Sequence, residues 1–565
     1  MPSDLDRELD AVMDALTAPG GPLETEPFVR GGQTYPVFKA APPHLPALFA
    51  HYCATHADLP FLVDGNLRLT FAETHALALR AAHGLIARHG VLRGDRIGLA
   101  GRNSINWIIA YMAILMAGGC ATLLNGWWTG EELAEGIALA QCNVVLADPQ
   151  RAARLDGHEC GAWIVPFDHG DPLAGLAAIL GDDAAPLPDL TGDDLATIIF
   201  TSGSTGAAKG AVSDHRGVVQ ATLNYAAQSL MVFTRMGQKG QAPAGQPCAL
   251  VPVPLFHVTG EVPLFLQSFA IARRLVIMPR WDALEAMRLI EAERITYFVG
   301  VPLMSHEIAM HPERDRFDLS SCATFAAGGA PRPVDHVPRL RERLPAGFPI
   351  LGYGLSETNA VGCGNYNENY LAKPASTGPA SRPLVELAVF DDAGAALPPG
   401  HTGEVAIRSI ANVLGYWQDP QATAAAFRAD GWFLTGDLGY LDDDGYLFIV
   451  GRKKEIILRG GENVSCQEVE HALYAHPGVA EASVFGLPDA RLGEVPVAGY
   501  CARPGHDFDE ADLRAFLAER LAPFKLPARL WHHDGALPRL GTEKVDKRRL
   551  KARYAAEWLD ATPQA

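Results

Sequence analysis

The chain has no CxxC pair and no Cys/His cluster at metal-ligand spacing: its nine cysteines (53, 120, 142, 160, 248, 322, 363, 466 and 501) stand singly. An odd number so dispersed argues against a disulfide framework and for a reducing cytosol. Positive charge is also short, 47 Lys and Arg against 65 Asp and Glu, for a formal net charge of −18. That balance argues against a nucleic-acid partner, which needs a basic face. An unbroken apolar run of the roughly 20 residues expected of a membrane span is missing too. Trp107 to Leu124 carries no charge, but Gly118-Gly119 divides it into a helix over Trp107 to Ala117 and a short core strand over Ala121 to Leu124, with Trp127-Trp128 and Thr129 opening the next turn. The opening MPSDLDRELDAVMDAL is acidic and amphipathic, without the basic start and apolar run of a secretory signal. The expected location is the cytoplasm, with no transmembrane segment.

At 565 residues, 48% hydrophobic and 20% charged, the chain is globular and too long for one core, so two to four domains are expected. Its most informative stretch is Ile198 to Gly210, IIFTSGSTGAAKG. Two β-branched residues and Phe200 form a buried strand that runs into a polar loop. There Gly203, Gly206 and Gly210 let backbone N–H groups converge, Thr201, Ser202, Ser204 and Thr205 add hydroxyl donors, and Lys209 supplies a cation suited to a phosphate. The mononucleotide loop GxxxxGK[ST] does not fit, because Ala208 precedes Lys209 and Gly210 follows it. The stretch instead resembles the phosphate loop of the acyl-adenylate-forming superfamily, which includes acyl-CoA synthetases, luciferases and peptide-synthetase adenylation domains. That family usually has Pro where Ala208 stands, a loss of loop rigidity worth a fraction of roughly 1 kcal/mol.

Further motifs follow in the family's order across Pro46 to Leu550. His75 to Arg88 reads as a helix, and Arg96 to Ala100, Ala140 to Asp148 and Ala162 to Phe167 as strands, an alternation that gives a mainly parallel sheet wrapped by helices. In Val251 to Gly260, VPVPLFHVTG, a strand end delivers Phe256 and His257 to a turn. The resemblance implies that this turn lies near the carboxylate of an acid substrate, with Phe256, His257, Thr259, Gly260, Val301 and Gly328 shaping the acid pocket. Thr324 to Pro331, TFAAGGAP, ends in a turn where Gly329, Ala330 and Pro331 flank adenine by resemblance. In LGYGLSETN, Gly352, Tyr353, Gly354, Ser356 and Glu357 follow another strand; Tyr353 is expected to stack on the base and Glu357, with Thr201, to hold Mg²⁺, a hard ion that takes oxygen ligands.

Asp437, between Gly436 and Leu438, is suited to accept from two ribose hydroxyls, with Arg452 a second ribose contact by resemblance. Asp442-Asp443-Asp444-Gly445 reads as a hairpin turn. The boundary between a large domain (46–453) and a small mobile one (454–565) falls at the expected hinge, Lys454. Residues 460 to 464, GGENV, form a turn whose Gly460 and Gly461 let the CoA arm pass in related ligases. Lys544 matches the family's adenylating lysine, although Glu543 replaces the usual Gly before it; the Lys/Arg-rich stretch beyond reads as a solvated basic helix, with contact to the CoA phosphates as the alternative.

The expected fold is therefore α/β: a large multi-sheet N-terminal domain of parallel-sheet subdomains and a small mobile α+β C-terminal domain, preceded by an extension (1–45) whose role the sequence does not reveal. The implied activity is ATP-dependent carboxylic acid:CoA ligation through an acyl-adenylate, using ATP, Mg²⁺ and coenzyme A, with Lys544, Glu357, Lys209 and His257 catalytic. A medium- or long-chain fatty acid is the first expectation and an aryl or alicyclic acid the second. Transfer to a separate carrier protein, or nucleotide binding without turnover, are the alternatives. A homodimer is expected by family analogy alone.

Overall fold

The computed structural model describes residues 3–561 apart from 182–184, 203–207, 241–244, 460–461, 490, 504, 507 and 541–543. Two sheets form the body of the large N-terminal part. The first has seven strands in the order Gly415–Tyr416, Ala208–Asp214, Leu195–Ser202, Cys120–Leu123, Arg96–Ala100, Val144–Ala147 and Trp163–Pro166. The last five run parallel, as the helix–strand alternation requires, and the first two add antiparallel edges. The second sheet has eight strands in the order Gly362–Asn365, Phe348–Gly354, Thr324–Ala327, Tyr297–Gly300, Cys248–Val251, Arg274–Ile277, Pro60–Asp64 and Leu67–Thr70. Each sheet thus brings the carboxyl ends of its parallel strands to one edge, where open α/β sheets bind ligands.

The uncharged stretch resolves into the wholly buried helix Ile105–Met116 and the strand Cys120–Leu123. Gly118, at φ +83°, ends the helix in a conformation that a side chain disfavours. No helix among the described residues is long and apolar enough to cross a membrane. The expected strand over Ala140 to Asp148 is shorter than the sequence suggested. The helix Gly130–Ala140 runs to its first residue, Gln141 caps that helix at φ 55°, and only Val144–Ala147 is strand. The hairpin at Asp442–Gly445 is present between Phe433–Leu441 and Leu447–Arg452, with Lys373 donating to both Asp442 and Asp444. These two strands close a four-stranded antiparallel sheet with Glu386–Phe390 and Gly403–Arg408.

The C-terminal unit is built on a five-stranded sheet of Glu462–Ser465, Ile456–Arg459, Gly493–Ala502, Val479–Asp489 and Leu530–His532. Helices Cys466–Tyr474 and Glu510–Ala518 cover it with Val469, Leu473, Leu513 and Leu517 fully or almost fully buried. Two readings change here. Glu462–Ser465 of the expected 460 to 464 turn is a strand paired with Ile456–Arg459, and Gly460 and Gly461 lie outside the described residues. The basic helix, Lys547–Ala561, is not solvated all round: Leu550 and Tyr554 are buried against the sheet, and Lys547 reaches Glu470 at 2.9 Å.

The extension is folded. Helix Asp4–Thr17 packs along His215–Gln238, with Glu8 paired to Arg235 at 2.7 Å and Asp14 to Arg382 at 2.6 Å. Asp6 accepts from both Asn369 and Tyr446 at 2.7 Å. The segment therefore ties the helix that follows the phosphate hairpin to the distant 369 and 446 regions.

Candidate active site

Lys209 belongs to a strand. Ala208–Asp214 pairs antiparallel with Leu195–Ser202, opposing Lys209 to Thr201 and Ala208 to Ser202, so the phosphate motif is a β-hairpin. Gly203, Ser204, Thr205 and Gly206, between these strands in sequence, and the Ser202 side chain lie outside the described residues. On its other side Ala211 and Val212 pair with Tyr416 and Gly415. That pairing puts the Tyr416 ring 5.1 Å from the Lys209 ammonium, with Asp419 3.8 Å from the same nitrogen. The Tyr416 hydroxyl donates to Glu357 Oε1 at 2.9 Å, so one tyrosine joins the phosphate lysine to the carboxylate expected at magnesium. Burial pushes the Tyr416 phenol well up, and the neighbouring Glu357 adds to this, so it stays a donor.

Glu357 lies in the short turn Ser356–Thr358, just past Phe348–Gly354. The turn is fixed by Thr358, whose hydroxyl donates to Val361 O at 2.6 Å, and by Gly354, where a Cβ would stand 1.9 Å from Ala360 O. Glu357 and Thr201 are oxygen donors beside a phosphate motif, a set that suits Mg²⁺.

Tyr353 donates its hydroxyl to Asp437 Oδ2 at 2.6 Å, and Arg452 Nε lies 2.8 Å from Oδ1. Burial raises the Asp437 pKa while Arg452 and the Tyr353 bond oppose the rise, so both carboxylate oxygens are engaged within the protein. Gly328, just past the strand Thr324–Ala327, and Gly352, within Phe348–Gly354, leave a gap: a Cβ on Gly328 would meet only Gly352 O, at 3.4 Å. Gly329 follows at φ +73°, ahead of Ala330 and Pro331.

Lys544 enters from the C-terminal unit. A Cβ on Gly329 would be 3.7 Å from both Cε and Nζ of Lys544 and 3.8 Å from the Thr259 hydroxyl. Burial first, and Arg452 second, lower its pKa to about 8. His257 is lowered to about 3, by burial and then by Lys544, so its imidazole is neutral at physiological pH. Its Nε2 has no hydrogen-bond partner among the described residues. Phe256 and Val301 are buried, and Trp127 packs edge-on to Phe256 at 4.8 Å and stacks on His257 at 6.1 Å. A Cβ on Gly260 would be 2.2 Å from Pro254 O, which holds the turn after His257 tight.

Lys454 is exposed on the short turn Lys453–Glu455 that joins Leu447–Arg452 to the C-terminal sheet. The structure therefore draws Lys209, His257, Thr259, Gly329, Tyr353, Glu357, Asp437, Arg452 and Lys544 toward one region. Sequence reasoning missed Tyr416, and it placed Trp127 in the turn where the structure has it, without its packing on Phe256 and His257; both join the site through long-range packing, which local pattern does not report.

Residues 49–417 match the AMP-binding enzyme family, and residues 468–544 match the AMP-binding enzyme C-terminal domain. The chain belongs to the AMP-binding enzyme family. It is 33% identical over 491 residues to a feruloyl-CoA synthase of an Amycolatopsis species, covering 87% of this chain and 95% of that protein. It is 30% identical over 519 residues to a long-chain-fatty-acid–CoA ligase of Bacillus subtilis, covering 86% and 90%. In structure it resembles ATP-bound MatB from Rhodopseudomonas palustris, with a TM-score of 0.78, 29% identity, and coverage of 90% of this chain and 99% of that one. The matches span both the large N-terminal part and the C-terminal unit that carries Lys544.

Proposed function

We propose that this enzyme joins an apolar carboxylic acid to coenzyme A through an acyl-adenylate, consuming ATP and releasing AMP and diphosphate. The observation that supports the reading is the half-buried Lys544 beside Gly329, Thr259 and His257, a cation that the C-terminal unit brings to the region proposed for acid and nucleotide. Membership of the family and the CoA-ligase names of its relatives support the same reaction.

In the first half-reaction a carboxylate oxygen attacks the α-phosphorus and diphosphate leaves. Lys544 offsets the charge that develops between the two anions, in a site where burial strengthens its field. Lys209, lying against Tyr416, faces the phosphates. Mg²⁺, arriving with ATP, would be held by Glu357 and Thr201 and supplies charge neutralisation on the phosphate oxygens. Tyr353, Asp437 and Arg452 take the nucleoside, with the flat gap at Gly328 and Gly352 suited to a base. No protein nucleophile is needed, so positioning and charge supply the acceleration. In the second half-reaction the CoA thiol attacks the acyl carbonyl and AMP leaves, after a rotation about Lys454 withdraws Lys544 and presents the segment that carries Gly460 and Gly461.

The neutral His257 and the wall of Trp127, Phe256 and Val301 suit an apolar acyl group over a charged one. The test is AMP release by pure protein given ATP, Mg²⁺, CoA and either ferulate or dodecanoate. CoA-dependent release supports ligation, diphosphate exchange with no CoA-dependent AMP release would leave only adenylate formation, and silence across a wider acid panel would reject catalysis. The preferred acid of the two ranks ring-bearing against straight-chain substrates.

A further inference from the structure

His257 sits at the end of a segment that cannot hold itself in a sheet. The strand Cys248–Val251 stops where Val251-Pro252-Val253-Pro254-Leu255 begins, and the two prolines lack the N–H groups a ladder needs. Buried carbonyls there require other partners.

Asn103 provides them. Its Nδ2 donates to Val253 O at 2.8 Å and to Val251 O at 3.3 Å, while its Oδ1 accepts from Leu255 N at 2.9 Å. One side-chain amide thus offers the two donors and one acceptor of a short strand edge, and the residue is 6% exposed. Asn103 is itself held on both sides: Arg102 N donates to Asp148 Oδ2 at 3.1 Å, and Ser104 caps the helix Ile105–Met116 by accepting from Trp107 N at 3.1 Å. It belongs to the loop after Arg96–Ala100 in the seven-stranded sheet, whereas its three partners continue a strand of the eight-stranded sheet. From Leu255 the chain turns at once: His257 N donates to Pro254 O, and His257 O accepts from Gly260 N and Glu261 N to open the next helix.

We propose that Asn103 is the positioning residue that fixes Phe256 and His257 against the acid, by completing the hydrogen bonding of the proline-interrupted segment behind them from the opposite sheet. This rests on the ligase reading above for what the turn contacts, and on hydrogen bonds alone for what holds the turn. It also explains why an amide stands here. A leucine would strand Val253 O and Leu255 N in a buried seam, Val251 O keeping only its ladder bond from Met278 N, and an aspartate would set a carboxylate against two carbonyl oxygens.

The test uses Asn103→Ala and, in case that variant fails to fold, Asn103→Asp, which keeps the acceptor and loses both donors. Trp127 touches both Phe256 and His257, so its emission, taken as the difference between each protein and the same protein carrying Trp127→Phe, reports where the turn lies. The expected result is a shifted Trp127 emission, a KM for ferulate or dodecanoate raised about tenfold or more, and a calorimetric Kd for Mg·ATP within about twofold of the parent, following the usual cost of unsatisfied buried groups. Equal weakening of acid and nucleotide, or a lower Tm with the Trp127 signal and KM for acid unmoved, would overturn the proposal and leave Asn103 a general stabiliser. Should neither acid be turned over by the parent, the ligase reading loses its support while the Trp127 comparison still decides the role of Asn103.

Discussion

The Tyr416 hydroxyl donates to Glu357 across 2.9 Å, with the ring of the same tyrosine under the Lys209 ammonium. A hydrogen bond to a carboxylate is worth about 1.5–3 kcal/mol. Tyr416→Phe removes that bond and keeps the ring, so the half-saturating Mg²⁺ concentration for diphosphate exchange is expected to rise about tenfold with a smaller change in the KM for the acid. Tyr416→Ala, which also removes the surface under Lys209, should be worse. A magnesium titration that superimposes on the parent would take Tyr416 out of the site.

Lys544 must be an ammonium to offset negative charge, and its pKa is lowered from 10.5 to about 8. The charged form is therefore complete below that value and is lost as pH rises through it. For adenylate formation, kcat/KM should fall above pH 8, approaching tenfold per pH unit as expected for one essential proton. Thioester formation from supplied acyl-AMP, with Lys544 withdrawn, should lack this limb. Parallel pH profiles of the two half-reactions check it.

Replacing the lysine separates the same steps. Lys544→Ala should slow adenylation by about 100-fold or more, the scale of removing one group that stabilises developing charge. CoA transfer from supplied acyl-AMP should change little. Equal losses in both would make Lys544 structural.

Gly260→Ala puts a Cβ against Pro254 O, and overpacking of this kind costs about 1–3 kcal/mol when backbone must shift. Tm should fall and the KM for acid should rise, because the displaced turn carries His257. Wild-type values for both would mean that the turn relaxes without moving the imidazole.

What the sequence made legible was local. Arg96–Ala100 is strand at the residues the pattern marked, and the aspartates at 442–444 form the hairpin their spacing called for. The glycines at 328, 352 and 354 stand where strand ends come together or where a Cβ has no room. Partners far apart in sequence were not legible. Tyr416 meets Lys209 through an edge-strand pairing, and Asn103 meets Val253 across 150 positions, contacts that leave no periodic trace. Lys209 was placed on a loop because Ala-Ala-Lys-Gly carries no strand signal; the strand exists because Thr201 and Gly415–Tyr416 flank it. The role of the acidic opening helix was not legible because its partners, Arg235, Arg382, Asn369 and Tyr446, lie far along the chain.

Asp437 holds Tyr353 and Arg452 before any sugar reaches it. On the proposed reading, a ribose hydroxyl arriving there would meet a carboxylate already holding two donors, so recognition of the sugar would add selectivity for shape while contributing modest net enthalpy. Such an arrangement would favour an enzyme that lets AMP go readily once the acyl group has left, which suits a catalyst whose cycle ends by shedding its nucleotide.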